Sequence, residues 1–177
     1  YNVFRRKAHD SDLFYELFGK DAIDIYLYLY NYDENPYTLQ QLALCRLKLG
    51  DYPQAFIDID TALSKRPNNF SMKNSQAIIW FEANRNKTTS LAIEKKKEAM
   101  EILRACYNND RRKVYHAQKF AEFAIALFDE YKESEFLNEA LQWIDEVIQR
   151  GDSKSRKTRN LKEELSKRKK RENEEIP

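Results

Sequence analysis

The chain's 177 residues, 42% hydrophobic and 13% aromatic, hold enough apolar material for one ordered domain or a short repeat array, which excludes a chain disordered throughout. With 3 Gly and 4 Pro there are too few turn residues for a sandwich or barrel of many short strands, so composition favours helices. Lys+Arg 31 against Asp+Glu 29 leave a formal net charge of +2, an average that names no partner.

The sign is unevenly spread. Ser153 to Arg171 carries ten Lys or Arg against two Glu, an excess of eight, and subtracting eight from +2 leaves about −6 for the rest. Cys45 and Cys106 sit in apolar helical stretches and supply neither a disulfide framework nor a metal-ligand spacing, so a reduced, cytosolic setting is expected. No apolar run approaches the roughly 20 residues of a membrane span, and Y-N-V-F-R-R-K at the start lacks the apolar core of a signal peptide. Because the first residue is Tyr and not Met, the chain reads as a piece of a longer protein or a processed product.

In chain order, Asp10-Ser11 supplies an N-cap for a short helix to Phe18, and Gly19 a turn into a helix from about Lys20 to Tyr32. Together they form a degenerate first hairpin. The stretch I-D-I-Y-L-Y-L-Y-N-Y alternates as a strand would, and periodicity alone leaves that open; the surrounding repeats favour helix. The next segment, Asn35 to Asn69, has two helical periods separated by Gly50-Asp51 and reads as one helical hairpin. Leu39, Leu42, Ala43 and Leu47 recur at helical spacing in its first helix, and Tyr52, Ala55, Ile59, Ala62 and Leu63 in its second. Ala43, Ala55 and Ala62 are small where two backbones approach, and Pro67 stops the second helix.

These residues resemble the tetratricopeptide repeat family. Its 34-residue unit favours small residues at its eighth, twentieth and twenty-seventh positions and Pro near its thirty-second, here Ala43, Ala55, Ala62 and Pro67. The G-D-Y-x-x-A turn and the closing P-N-N fit as well, while Arg46 stands where the family usually has an aromatic. A less regular unit follows, with Ala77 in the small position of a helix from about Phe70 to Asn84 and Trp80 where Arg46 stood. Thr88-Thr89-Ser90 offers the N-cap of its long partner helix, which carries Ala99, Leu103, Cys106 and Tyr107. A third unit sets Phe120, Phe123, Ala124 and Leu127 on one helix and Ala140, Ile144, Val147 and Ile148 on the next, ending at Gly151.

The resemblance implies an all-α fold: a right-handed array of antiparallel helical hairpins, an α-solenoid with a polar C-terminal capping helix. The expected organisation is a repeat domain over residues 1–152, with hairpins at about 11–32, 35–69, 70–109 and 111–151, and a basic helix or tail over 153–177. Over residues 155–171 Leu161 and Leu165 are the sizeable apolar residues, which suits a solvent-facing cap fraying toward Pro177.

In such arrays the first helix of each hairpin lines the concave side. The repeat alignment puts Tyr37, Gln40, Leu44 and Lys48 on that lining, then Asn74, Ile78 and Phe81, then Ala121, Ile125 and Phe128. An apolar groove of this kind takes an amphipathic helix or an extended segment with apolar anchors. The competing reading, that these residues are core filled by neighbouring hairpins, stays open at this point. Some members grip a chaperone's C-terminal carboxylate with Lys and Asn at the fifth and ninth positions of a unit; Gln40 and Leu44, then Asn74 and Ile78, do not reproduce that clamp.

Arg5-Arg6-Lys7, Arg111-Arg112-Lys113 and the Lys154 to Arg171 tail are candidates for weak, salt-sensitive contact with nucleic acid or acidic surfaces, although none is interleaved with stacking aromatics. The tail lacks the apolar face needed to insert in a membrane. There is no Gly-rich phosphate loop, nucleophile elbow or paired Cys or His motif, His9 and His116 are too few for a metal site, and Asp58-Asp60 and Glu133-Glu135 diverge around a helix. No catalytic residue, metal or cofactor is expected. The expectation is a cytoplasmic, non-catalytic module of a multidomain protein that binds a protein or peptide segment. The alternatives are a sensor or regulatory repeat domain of a nucleotide-dependent signalling or defence protein, or a weak RNA-contacting repeat.

Overall fold

A computed structural model describes residues 15–16, 19–151 and 155–175. Eight helices make up this part: α1 (Asp21–Asp33), α2 (Pro36–Lys48), α3 (Tyr52–Lys65), α4 (Phe70–Asn84), α5 (Ser90–Asn109), α6 (Val114–Tyr131), α7 (Glu135–Gln149) and α8 (Arg156–Glu175). No strand occurs among the described residues, so the fold is all-α. The short helix expected from Asp10-Ser11 to Phe18 falls almost wholly outside the described residues, as do Arg5-Arg6-Lys7, His9 and Lys154. The chain divides into two compact units, Tyr1–Ala99 and Met100–Pro177, with the division inside α5.

In the first unit α2, α3 and α4 are each opened by a side chain that occupies an orphan backbone donor, whereas Lys20 ahead of α1 makes no such bond. Asn35 accepts from the Tyr37 amide at 3.0 Å to start α2, with Pro36 in its first turn. Asp51 accepts from Gln54 at 3.4 Å before α3, and Asn69 from Met72 at 3.1 Å before α4. The α2–α3 turn is set by Gly50 at φ 76°, a left-handed conformation that a side chain disfavours. Thr89 does cap α5, accepting from the Ala92 amide at 3.3 Å.

The alternating tyrosines of the first stretch are helical. In α1 the buried residues are Ala22, Tyr26 and Leu29, at helical spacing, while Tyr28 and Tyr32 project outward, so the alternation is a coincidence of two helical faces. α1 packs on α2, α2 on α3, and α4 on both α2 and α3. Ala43, Ala55 and Ala62 are fully buried between these helices, with Leu42, Ile59 and Met72 around them. The small side chains let the backbones approach while the larger ones fill the spaces. Lys96 on α5 is also fully buried, its ammonium donating to the Arg85 carbonyl at 2.8 Å and the Lys87 carbonyl at 3.2 Å, which ties down the segment after α4.

In the second unit α6 packs on α7, and α8 packs on both. An aromatic group fills the interior: Trp143 stacks on Tyr107 and lies against Phe120, each at 4.3 Å between ring centroids, with Phe136 edge-on to Phe120 at 5.9 Å. Arg104 reaches Glu139 through two bonds of 2.9 and 3.1 Å. α8 docks through one stripe. Thr158, Leu161 and Leu165 are buried, and the Gln118 amide donates to the Thr158 hydroxyl at 2.9 Å. Around that stripe Lys157 meets Glu122 at 2.6 Å, Lys162 meets Asp145 at 2.7 Å, and Arg168 meets Asp129 at 2.8 Å. The polar tail helix is thus seated by two leucines, a buried hydroxyl and three ion pairs.

Candidate interaction face

The ten residues expected to line a groove divide by accessibility. Six are interior: Gln40, Asn74, Ile78, Phe81, Ala121 and Phe128 are all buried. Gln40 lies at the contact of α2 with α4, its amide donating to the Ser71 carbonyl and hydroxyl, each at 3.0 Å, and to the Ser75 hydroxyl at 2.8 Å. A side chain with that many internal partners is part of the fold and has no surface to present. Ile78 and Phe81, which look from sequence like the apolar floor of a groove, are 6% and 1% exposed and so are already covered by this chain.

Four of the ten remain accessible. Tyr37 and Leu44 are half-buried and Lys48 is exposed on α2 of the first unit, while Ile125 is half-buried on α6 of the second. The α2 residues stand seven and four positions apart, hence on one side of the helix. Tyr37 is fixed at both ends: its hydroxyl accepts from the Asn69 amide at 2.9 Å, and the Arg66 guanidinium lies 5.3 Å from its ring centroid. The Lys48 ammonium stands 5.5 Å from the Tyr15 ring centroid. The stripe therefore offers a phenol, an aliphatic patch and a cation along one side of a single helix.

Beside it, Arg46 occupies the position where the resemblance implies an aromatic. Its guanidinium donates to Asp58 at 2.8 Å and to Gln54 at 3.3 Å, bridging α2 to α3. Burial pushes the Asp58 carboxyl up from 3.8 to about 6 despite the attraction and hydrogen bond of Arg46, and Asp51 adds to the rise. Asp60, two residues on, is exposed and accepts from Gln76 at 2.9 Å, so the two carboxylates do diverge. In the second unit burial, with Lys113 nearby, holds the His116 imidazole below its usual value. Neither Cys45 nor Cys106 is in a disulfide, and both are buried. Among the described residues no group of three His, Cys, Asp or Glu could hold a metal ion, and no helix is long and apolar enough to cross a membrane.

Sequence reasoning missed the exposed side of α1, where Tyr28 is 67% and Tyr32 69% exposed. The signal was present, because both are one helical face away from Ala22, Tyr26 and Leu29. It also missed the Arg46–Asp58 bridge, for which an i-to-partner spacing across a turn gives no periodic trace.

No family model, curated protein or solved structure matches the chain. The described residues define an all-α class, with consecutive helices packed from α1 to α4 in the first unit and from α6 to α8 in the second.

Proposed function

We propose that the chain is a tetratricopeptide-like, non-catalytic interaction module of a larger protein, and that its first unit binds a protein segment along the accessible side of α2. The observation that carries this reading is the stripe Tyr37, Leu44 and Lys48, accessible on a helix whose other sides are closed by α1, α3 and α4. Support for the repeat reading comes from the N-cap and turn chemistry at Asn35, Gly50 and Asp51 and from the complete burial of Ala43, Ala55 and Ala62. The buried cysteines, outside any disulfide, favour a reducing, cytoplasmic setting.

A fitting segment places an apolar side chain on Leu44 and a carboxylate beside Lys48. Contacts this small correspond to a transient interface. The test is capture of partners by the full chain, by Leu44→Glu with Lys48→Glu, and by Ile57→Glu, an exposed apolar position on α3 that leaves the stripe intact. All three must keep the helical circular-dichroism spectrum. A partner retained by the Ile57 variant and lost by the stripe variant supports the reading, and partners indifferent to the stripe refute it.

A further inference from the structure

α8 sorts its cations by side. Lys157, Lys162 and Arg168 are spent on carboxylates of α6 and α7, and they flank the buried stripe of Thr158, Leu161 and Leu165. At 3.6 residues per turn the opposite side carries Arg156, Arg159, Lys167, Lys170 and Arg171. All five are exposed. Among the described residues no carboxylate pairs with Arg156, Arg159 or Arg171. Lys167 meets Glu164 at 3.0 Å and Lys170 meets Glu174 at 3.8 Å, both exposed pairs within one helix that hold their partners weakly. Two carboxylates, Glu163 and Glu174, share the outward side, so its local balance is five minus two, or three positive charges.

We propose that this outward side of α8 binds the phosphate backbone of a nucleic-acid duplex without reading its sequence. The charge pattern fits a polyanion, and three of the five cations are Arg, whose planar fork pairs with phosphate oxygens through two hydrogen bonds. Fifteen residue steps from Arg156 to Arg171 extend about 22 Å along the axis, and a duplex presents one negative charge per about 1.7 Å over that length. The side bears no aromatic or aliphatic residue. A protein interface would have an apolar or aromatic centre, a single-strand site would have stacking rings, and a membrane-surface helix would have an apolar face to bury. The seating of α8 adds to the case, because Leu161, Leu165 and the Gln118–Thr158 bond hold the helix with this row turned out. The site is separate from the α2 stripe and does not depend on it.

The test compares three versions of the whole chain: wild type, the variant Arg159→Gln/Lys167→Gln/Arg171→Gln, and the control Lys20→Gln/Lys65→Gln/Arg85→Gln, whose three exposed cations lie outside every basic cluster. Each variant loses three charges from +2, so both stand at −1. Binding to fluorescent DNA duplexes of about 20 base pairs and unrelated sequence is followed from about 0.05 to 0.2 M salt, where three net contacts predict a slope near −2.7 and a loss of about 40-fold. The expected result is that wild type and control bind both sequences alike with that slope, while the outward variant binds weakly with a slope near zero. Circular dichroism checks that α8 persists. The proposal is overturned if wild type shows no binding at the lower salt, if the two variants lose binding equally, so that net charge alone governs, or if poly-glutamate of matched charge displaces the duplex at equal concentration.

Discussion

The Asp58 carboxylate makes the first unit's stability depend on pH in an unusual direction. Ordinarily a carboxylate paired with Arg titrates low and its loss in acid destabilises the fold. Asp58 is 7% exposed, and its burial outweighs Arg46, so its folded value rises from 3.8 to about 6. Between those values the folded chain holds a proton that the unfolded chain has released, so this group's contribution is fully present below 3.8 and lost as pH rises through about 6. The interval of about 2 units corresponds to about 3 kcal/mol at 1.36 kcal/mol per unit, an order of magnitude for one group. The neutral variant Asp58→Asn keeps the shape and can still accept from Arg46, but it does not titrate. The expected outcome is that urea-unfolding free energy, followed by helical circular dichroism, shifts in favour of the variant relative to wild type by up to about 3 kcal/mol between about pH 4 and 7. Reading the carboxyl carbon of Asp58 by NMR gives the midpoint directly. A midpoint at or below 3.8, or a wild-type-minus-variant difference that stays flat with pH, refutes the reasoning.

Two further predictions concern burial. Phe81 is 1% exposed, so Phe81→Ala costs about 3–5 kcal/mol through lost packing and the cavity it leaves, and Ile78→Glu unfolds a large fraction by burying a charge; thermal melts check this, and a stable, fully helical Ile78→Glu protein would show that the site is open to solvent. At the seat of α8, Thr158→Val leaves the buried Gln118 amide without the acceptor it meets at 2.9 Å and costs about 1–3 kcal/mol, whereas the double change with Gln118→Leu recovers most of that loss; additive losses in the double-mutant cycle would deny the coupling.

How much of this was legible in the sequence depended on whether the signal was periodic. α2 through α4 were readable because Leu42, Ala43, Ala55, Ile59 and Ala62 recur with the helix and because Gly50-Asp51 and Pro67 interrupt that recurrence. The two faces of α1 were harder, since tyrosine at every second position fits a strand until the neighbouring helices impose their own spacing. The groove was the least legible. Position in a repeat names the side of a helix, but it does not say what else in the chain covers that side, and α4 shows the difference: Asn74, Ile78 and Phe81 share the expected side and are all interior. Leu44 and Lys48 stayed accessible on α2 under the same rule. The basic segment looks like one solvated run in sequence, and only the placement of Glu122, Asp129 and Asp145 sets the seating charges Lys157, Lys162 and Arg168 of α8 apart from its outward ones.

That division bears on how similar amphipathic helices find particular neighbours. Faces of Leu, Ala, Ile and Phe are nearly interchangeable, because burial of apolar area is non-directional. Polar contacts between helices are not, since a displaced partner leaves a buried donor or charge unsatisfied. In the first unit Gln40 matches Ser71 and Ser75 across α2 and α4, and Arg46 matches Asp58 across α2 and α3. In the second, Gln118 matches Thr158 and Asp129 matches Arg168, both between α6 and α8. A one-turn slip in any of these pairs, about 5.4 Å, keeps much of the apolar contact and breaks the polar one. Arg46 in place of the aromatic that the resemblance implies is intelligible in these terms: an aromatic there would fill space, whereas Arg46 with Asp58 fills it and adds a directional contact between α2 and α3.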